Sequence, residues 1–246
     1  MTFEQHVKFI NDKYGADNRI FTALIGSQNY GLSDENSDMD TVSAFIPSFD
    51  SLILNKSRVA KINEMPDLNH AEIKDIRSIF DWFYSSDINP VSLLYSCQVD
   101  VNPHFEWLWE TLQTVKPVIA YYNPGQMVYS LEAQIRYYCD MAFKNPFEKY
   151  NSKKLATAYR LLKQLSKYSY GAPFEEVLNC ADIRDMYLYL KQGKMPEEEA
   201  RVQAKVYKGL AQEYLLGFDK KAEGNTELKK FLDDLLIQLF KGQYGI

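Results

Sequence analysis

The chain has 246 residues, of which 46% are hydrophobic, so it is long and apolar enough to bury a core, and its composition excludes a disordered protein. The net charge of −5 argues against a strongly basic nucleic-acid-binding protein. The N-terminal residues lack the pattern of a secretory signal, and no stretch approaches the roughly 20 apolar residues of a membrane span. The three cysteines, Cys97, Cys139 and Cys180, lack zinc-binding spacing. We therefore expect a cytoplasmic protein without a membrane partner, whose cysteines are buried free thiols.

The first 46 residues show one helical pattern and two extended ones. Residues 3–14 place apolar side chains at helical spacing, and Gly15 provides a helix stop. Residues 19–25 are typical of a buried strand, and residues 39–46 of a second strand that Pro47 closes. The sequence thus predicts a helix followed by two strands.

The pattern between residues 52 and 97 is less regular. We expect two short strands, at residues 52–54 and 59–62, with a turn between them at residues 55–56. A loop is expected at residues 66–71. Glu72 lies at the end of an expected third strand, and a helix is expected to begin near Asp75. A further short helix is expected over residues 91–97.

From about residue 104 the hydrophobic pattern is helical throughout. The predicted helical segments are 126–143, 152–168, 173–192, 196–216 and 226–241. The expected breaks are Pro117 and the turn-forming residues at 123–125, 145–146, 171–173 and 193–196. We predict an α+β chain of two domains, with the strands in residues 1–100 and helices alone in residues 101–246.

The segment from Gly26 to Asp40 combines a turn suited to phosphate with two acidic residues. Gly26 ends the first strand and, lacking a Cβ, allows an anionic group to approach the backbone. Ser27 begins the turn that follows, where N–H groups and its hydroxyl can donate to phosphate oxygens. Asp38 and Asp40 are two residues apart, so along a strand both carboxylates point the same way. The segment therefore predicts paired carboxylates facing a phosphate-binding turn.

Paired carboxylates indicate a divalent cation, because like charges on one strand face repel each other. Mg²⁺ prefers carboxylate, water and phosphate oxygens, and two ions about 3.5–4 Å apart stabilise the attacking and leaving oxygens of a phosphoryl displacement. We expect Asp38 and Asp40 to hold two Mg²⁺ ions, with Mn²⁺ as the alternative metal. A third carboxylate is expected at Glu72; Asp75 is the alternative, although it is also placed to cap a helix.

The segment resembles the Gly-Ser and Asp-x-Asp signature of the DNA polymerase β-like nucleotidyltransferase superfamily. More narrowly, it is similar to the predicted nucleotidyltransferases whose motif runs Gly-Ser-x-x-Tyr-Gly-x-x-x-x-x-Ser-Asp-x-Asp. The matching residues are Gly26, Ser27, Tyr30, Gly31, Ser37, Asp38 and Asp40. The similarity covers most of residues 19–210 and is dense only in residues 25–41.

The resemblance implies a polymerase β-like fold, in which a short mixed sheet carries helices on one side. It implies a catalytic set of Asp38, Asp40 and Glu72, and triphosphate binding at Gly26 and Ser27. The implied reaction is Mg²⁺-dependent transfer of a nucleotidyl group from a nucleoside triphosphate to a hydroxyl, with release of pyrophosphate. RNA ends, protein hydroxyls and small molecules all serve as acceptors in the superfamily, so the acceptor stays open.

Residues 149–171 look like the family's lysine-rich helix and imply nucleotide contacts from Lys154 and Arg160, with a solvated helix face as the alternative. His70 is expected to be a solvated loop residue. Family members often carry a Glu shortly after the Asn-Pro turn, whereas this chain has Val91–Leu94 there. Two rival functions remain: a nucleotide-binding module without catalysis, and a toxin–antitoxin component that binds a partner protein through an exposed apolar patch on its helical half.

Overall fold

The computed structural model describes residues 2–35, 37–65, 69–145 and 147–245. Its strands are β1 (Arg19–Ile25), β2 (Asp40–Phe45), β3 (Ala60–Glu64), β4 (His70–Asp75) and β5 (Val99–Val101). Its helices are α1 (Phe3–Tyr14), α2 (Phe49–Ile53), α3 (Ile76–Tyr84), α4 (Ile88–Ser92), α5 (Glu106–Ala120), α6 (Pro124–Ala142), α7 (Ser152–Ser169), α8 (Phe174–Leu178), α9 (Arg184–Lys191), α10 (Glu197–Leu215) and α11 (Thr226–Tyr244). The α+β class is confirmed. None of the described helices is both long enough and apolar enough to cross a lipid bilayer.

The five strands form one mixed sheet in the order β3-β4-β2-β1-β5. The pair β2 and β4 is parallel, with Asp40 opposite His70 and Val42 opposite Glu72. The other neighbouring pairs are antiparallel, and β1 places Ile25 opposite Asp40. Facing residues share a side of the sheet, so one face carries the side chains of Ile25, Asp40, Val42, His70 and Glu72.

Helices cover both faces of the sheet. Helix α1 packs on one face, where Ile10 joins Phe45 and Ile73 in a small buried cluster. The side chains of the opposite face, including Phe21 and Val42, belong to a larger core that continues into the helices of the second half. The face that carries Asp40 is therefore turned toward the helical part of the chain.

Local sequence signals explain the first elements. Thr2 caps α1 in a capping box with Gln5, and Gly15 ends it with φ of +85°. The predicted helix 3–14 and strand 19–25 are confirmed at these bounds. The second predicted strand is confirmed with slightly narrower limits, Asp40–Phe45.

Residues 52–54 were expected in a strand, and this prediction is wrong. They fall in and just after α2, because Ser48 accepts a hydrogen bond from the Ser51 N–H and so caps a short helix. Residues 70 and 71 were expected in a loop, but they begin β4. Residues 66–68 of the same predicted loop lie outside the described residues.

Three further differences concern the region after residue 98. The strand β5 was missed, because its three residues are too few to show a pattern. Helix α5 runs through Pro117, although Pro117 was expected to break it. The burial of Ile119 and Ala120 stabilises the last turn of the helix and offsets the loss of the backbone hydrogen bond that proline cannot donate. The segment 173–192 contains two α-helices, α8 and α9, rather than one.

From residue 102 to residue 245, the described residues contain helices and no strand. Helix α6 packs against α7 and α10, and α7 also packs against α9. Strand β5 straddles residue 100, where the sequence analysis places the domain boundary. The division into residues 1–100 and 101–246 stays a prediction.

The cysteines differ in exposure. Cys139 and Cys180 are buried, and burial raises the pKa of their thiols to about 12 and about 11. Cys97 was expected to be buried as well, but it is exposed because it lies in the loop before β5. All three are free thiols.

Candidate active site

The predicted phosphate-binding turn lies between β1 and β2 and requires two glycines. Gly26 has φ of +85° and ψ of −156°, a conformation accessible almost only to glycine. A four-residue 3₁₀ turn, Ser27–Tyr30, follows, and Gly31 ends it in the left-handed region at φ of +70°. Tyr30 is buried and packs the loop. The motif therefore encodes a fixed backbone shape as well as chemical groups.

Gly26 lies directly against the carboxylate of Asp40. A Cβ added at Gly26 would lie 3.6 Å from Asp40 Oδ2, in ordinary van der Waals contact. The antiparallel register, which sets Ile25 opposite Asp40, produces this approach. Any side chain at position 26 would thus cover part of the carboxylate that the motif presents.

The other oxygen of Asp40 is held by His70. Asp40 Oδ1 accepts a hydrogen bond from the His70 backbone N–H at 3.2 Å and lies 3.1 Å from His70 Nδ1. His70 was expected to be a solvated loop residue: it is exposed, but the loop assignment is wrong, because parallel pairing with β2 makes it the first residue of β4 and sets it beside Asp40. These contacts orient the carboxylate and leave Oδ2 on the side of Gly26.

Asp38 precedes the sheet. Strand β2 begins at Asp40, so the alternation of a strand does not by itself place the Asp38 carboxylate beside that of Asp40. Asp38 is exposed, and its carbonyl oxygen accepts a hydrogen bond of 3.5 Å from Gln28 Nε2. Ser27, by contrast, is half-buried at the start of the turn.

Glu72 lies on the same face of the sheet as Asp40, one strand away and two residues along. Its carboxylate already has a cationic partner, since Lys74 Nζ lies 2.5 Å from Glu72 Oε1. The same ammonium group lies 4.0 Å from the centre of the Trp82 ring. Lys74 therefore neutralises Glu72 and competes with any metal ion for it.

Asp75 has a structural role. It is 2% exposed, caps α3 by accepting a hydrogen bond of 2.9 Å from the Arg77 N–H, and forms an ion pair with the Arg77 guanidinium at 2.6 Å. It pairs with Phe45, three residues past Glu72 along β4, and so points to the opposite face of the sheet. Of the two predicted third carboxylates, only Glu72 faces the same side as Asp40.

A cavity of about 430 Å³ lies beside these groups. Three of the predicted catalytic and nucleotide-binding residues line it, namely Gly26, Glu72 and Arg160, whereas Ser27, Asp38, Asp40 and Lys154 do not. The remaining lining residues are Ile25, Tyr30, Val42, Trp82, Ser85, Asp87, Asn89, Pro90, Ser92 and Leu93. Its volume is within the range of small-molecule sites. The cavity thus has the Glu72 carboxylate on the sheet side and the Arg160 guanidinium on the helical side, and Asp40 adjoins it through Gly26.

Arg160 is fixed by two neighbours. Its guanidinium carbon lies 4.4 Å from the centre of the Tyr30 ring, and its Nη1 donates to Gln164 Oε1 at 3.3 Å. Lys154 lies on the same helix, but it does not line the cavity: its ammonium group lies 5.1 Å from the centre of the Tyr138 ring. Lys154 and Arg160 are six positions apart, which is not a whole number of helical turns, so they lie on different sides of α7.

The helical part of the chain holds the motif loop in place. Lys191 forms an ion pair with Asp34 at 2.9 Å, and Arg184 donates to the Ser33 carbonyl oxygen at 2.9 Å. The Cys180 N–H donates to the Tyr30 carbonyl oxygen at 3.1 Å. The loop shape therefore depends on residues about 150 positions later in the chain.

Sequence reasoning missed most of the cavity wall. Asp87 accepts from the Asn89 N–H and from Gln134 Nε2 of α6, and so joins the α4 segment to the helical part. Its position two residues before Asn89 and three before Pro90 is a helix-capping signal that the sequence does contain. Lys74, which is two residues after Glu72 on a strand, could also have been recognised as its partner.

Within the described residues, no group of three histidine, cysteine, aspartate or glutamate side chains is arranged to hold a metal ion. The Asp40 carboxylate lies against Gly26 of the turn, and Asp38 is two residues before Asp40. Because Mg²⁺ is commonly bound by one or two carboxylates together with substrate phosphates, this donor set fits a metal that arrives with a nucleotide. It does not form a preassembled metal cage.

No family model matches the chain, and no curated protein matches it. Among solved structures, it is similar to a nucleotidyltransferase-like protein from Exiguobacterium sibiricum 255-15, at 14% identity, over 88% of this chain and 75% of that chain, with a TM-score of 0.32. A likeness at that score does not define the family or the activity of this chain.

Proposed function

We propose that the chain is a metal-dependent nucleotidyltransferase that acts on a nucleoside triphosphate in the cavity beside Gly26. The observation that carries the proposal is that Gly26, Glu72 and Arg160 line one cavity, and that the Asp40 carboxylate lies against Gly26. A bare backbone turn and a guanidinium are groups that bind phosphate. The nearby carboxylates of Asp40 and Glu72 would repel a triphosphate unless a cation lies between them. The combination therefore indicates a metal–nucleotide complex as the ligand.

The proposed metal is Mg²⁺, or Mn²⁺ in its place, held by Asp38 and Asp40. When bound, it neutralises phosphate charge and stabilises the oxygens of the displacement. His70 keeps Asp40 oriented through Oδ1, so that Oδ2 is the oxygen offered to the metal. Glu72 joins the set only after it leaves Lys74, and this exchange is part of the proposal.

In the proposed reaction, a hydroxyl oxygen of the acceptor attacks the α-phosphorus of the nucleoside triphosphate. A new P–O bond forms, the bond to the pyrophosphate oxygen breaks, and the hydroxyl proton is lost to solvent or to a nearby base. Arg160 pairs with the charge of the phosphates, and the Gly26–Ser27 turn receives them. The nucleotide identity and the acceptor are left open by these groups.

A second candidate function is nucleotide binding without catalysis. The ion pair between Glu72 and Lys74 favours it, because a glutamate that kept this partner would leave the second metal position incomplete. The partner-binding alternative has a separate support in an exposed apolar stripe on α10, formed by Val202, Val206 and Leu210. Transfer activity distinguishes the first proposal from both.

The test is incubation of the protein with each of the four α-³²P-labelled nucleoside triphosphates, Mg²⁺, and total cellular RNA and protein. We expect label on one class of acceptor with the wild type, loss of transfer in Asp40→Asn, and full transfer in the matched control Asp17→Asn, which changes an exposed loop residue. Nucleotide binding by the wild type without transfer to any fraction would refute the proposal and favour the non-catalytic module.

A further inference from the structure

A second cavity, of about 550 Å³, lies on the exposed side of α6 and shares one wall with the first. Asp87 lines both cavities, so the two adjoin at this side chain. Asp87 Oδ2 accepts from Gln134 Nε2 at 3.1 Å and from Ser130 Oγ at 3.4 Å, and both donors are on α6. We call this second cavity, together with the adjoining Lys154, the α6 groove.

The α6 groove combines aromatic rings with cations. Its rings are Tyr129, Tyr137 and Tyr138, and its cations are Arg136, Lys154 and Lys220. Tyr137 is 54% exposed although its ring also packs edge-on against Tyr138, at 5.3 Å between centres. This ring is therefore available to a ligand and is also held in place.

Two of the cations lie beside ring faces. Lys220 Nζ is 5.5 Å from the centre of the Tyr129 ring, and Lys154 Nζ is 5.1 Å from that of Tyr138. A ligand that offers phosphate to these ammonium groups would bring its bases next to the rings. Stacked bases on aromatic side chains with a cationic track along the backbone are the pattern of single-stranded nucleic acid binding.

The carboxylates that face the groove are already engaged. Glu132 is buried, and its Oε2 lies 3.7 Å from Arg136 Nη2. Asp87 is held by the two donors from α6 and by the Asn89 N–H. Lys154 and Lys220 are therefore the cations of the groove that form no ion pair with Glu132 or Asp87. A purely acidic peptide would use the cations and leave the rings unused, so the rings favour a nucleic acid.

We propose that the α6 groove binds a short single-stranded nucleic acid whose 3′ hydroxyl passes Asp87 into the first cavity as the acceptor. The inference rests on the proposed nucleotidyl transfer for the role of the bound strand, whereas binding itself does not depend on it. A short strand agrees with the net charge of −5, because an acidic chain is poorly suited to bind a long tract of phosphates. RNA and DNA share the chemistry that the groove recognises.

The experiment measures binding without any nucleoside triphosphate. Fluorescence anisotropy follows a labelled 12-nucleotide single-stranded RNA, the DNA of the same sequence, and the corresponding blunt RNA duplex. We expect single strands to bind more tightly than the duplex, and preference between RNA and DNA identifies the source of the ligand. Tyr137→Ala should weaken binding about fivefold or more, the lower range of one base–aromatic stack. Lys220→Ala should lower the slope of log K against log salt by about 0.7.

The matched controls are Tyr170→Ala, an 82% exposed tyrosine on another surface, and Lys205→Ala, an exposed lysine of α10. Neither should change the affinity by more than about twofold. Equal losses in groove and control variants, tighter binding of the duplex, or equal competition by polyglutamate would overturn the inference. Transfer of label to a protein by a wild type that binds no single strand would refute the groove while leaving the proposed function intact. Binding of a single strand at the groove without any transfer of label would support the groove and refute the proposed function.

Discussion

The backbone of Gly26 gives the most direct test of the site, because its φ of +85° and ψ of −156° make a side chain costly there. In Gly26→Ala the strain of this conformation costs about 1–3 kcal/mol. The substitution also restricts the unfolded chain, which offsets about 0.4–1 kcal/mol of that loss. The new Cβ adds no clash, since its nearest neighbour is 3.6 Å away. Because almost only glycine adopts this conformation, the upper part of the strain range, about 2–3 kcal/mol, applies; with the full offset of about 1 kcal/mol, the net loss in the free energy of unfolding is about 1–2 kcal/mol.

Thermal unfolding followed by circular dichroism measures this loss. For a chain of this size, 1 kcal/mol corresponds to about 2–4 °C, so Gly26→Ala should lower Tm by roughly 2–8 °C. Gly209→Ala is the matched control, because Gly209 lies within α10 with nothing within 4 Å of an added Cβ. It should raise the free energy of unfolding by about 0.5–1 kcal/mol. An unchanged or higher Tm for Gly26→Ala would show that the turn relaxes and would refute the argument from its backbone.

Three further predictions concern side chains around the sheet. Asp75→Ala should lower the free energy of unfolding by about 3 kcal/mol in urea titrations, because it removes a cap and leaves the buried Arg77 guanidinium unpaired; a loss below 1 kcal/mol would contradict the structural role. Burial lowers the pKa of His6, against an opposing effect of Asp40, so the folded state binds this proton less readily than the unfolded chain. Stability from this group is complete above pH of about 6.5 and falls as the pH drops through the lowered pKa; urea midpoints at pH 7.5 and 5.5 should differ less in His6→Gln than in the wild type. Ser86→Gly should raise Tm, since Ser86 has φ of +48° and a buried hydroxyl without a partner; a lower Tm would mean that this hydroxyl stabilises the turn.

Local patterns made the first half of the fold predictable. The helix 3–14 and the strand 19–25 were correct because capping residues and short apolar runs act over a few positions. The strand position of His70 was not predicted, because it follows from parallel pairing with β2, whose paired residue Asp40 is 30 positions earlier. Helix α2 shows the same limit. Its apolar residues are also compatible with a strand, and the cap that Ser48 provides favours the helix.

The candidate site was predictable to a similar extent. Gly26 and Asp40 belong to one local motif, so their closeness could be expected. The contact between Arg160 and the Tyr30 ring joins residues 130 positions apart, and no periodicity reveals it. The resemblance to the family's lysine-rich helix implied that Lys154 and Arg160 both contact the nucleotide. Only Arg160 lines the cavity, because the two residues lie on different sides of α7.

The position of Lys74 gives the protein an internal optical reporter. Its ammonium group bridges the Glu72 carboxylate and the Trp82 indole, and Trp82 lines the cavity. A positive charge beside an indole shifts its emission, so any ligand that draws Glu72 away from Lys74 also changes the electric field at Trp82. Occupancy of the cavity can then be read from intrinsic fluorescence without a label, and a Trp82→Phe variant, which retains Trp107 and Trp109, supplies their background signal for subtraction.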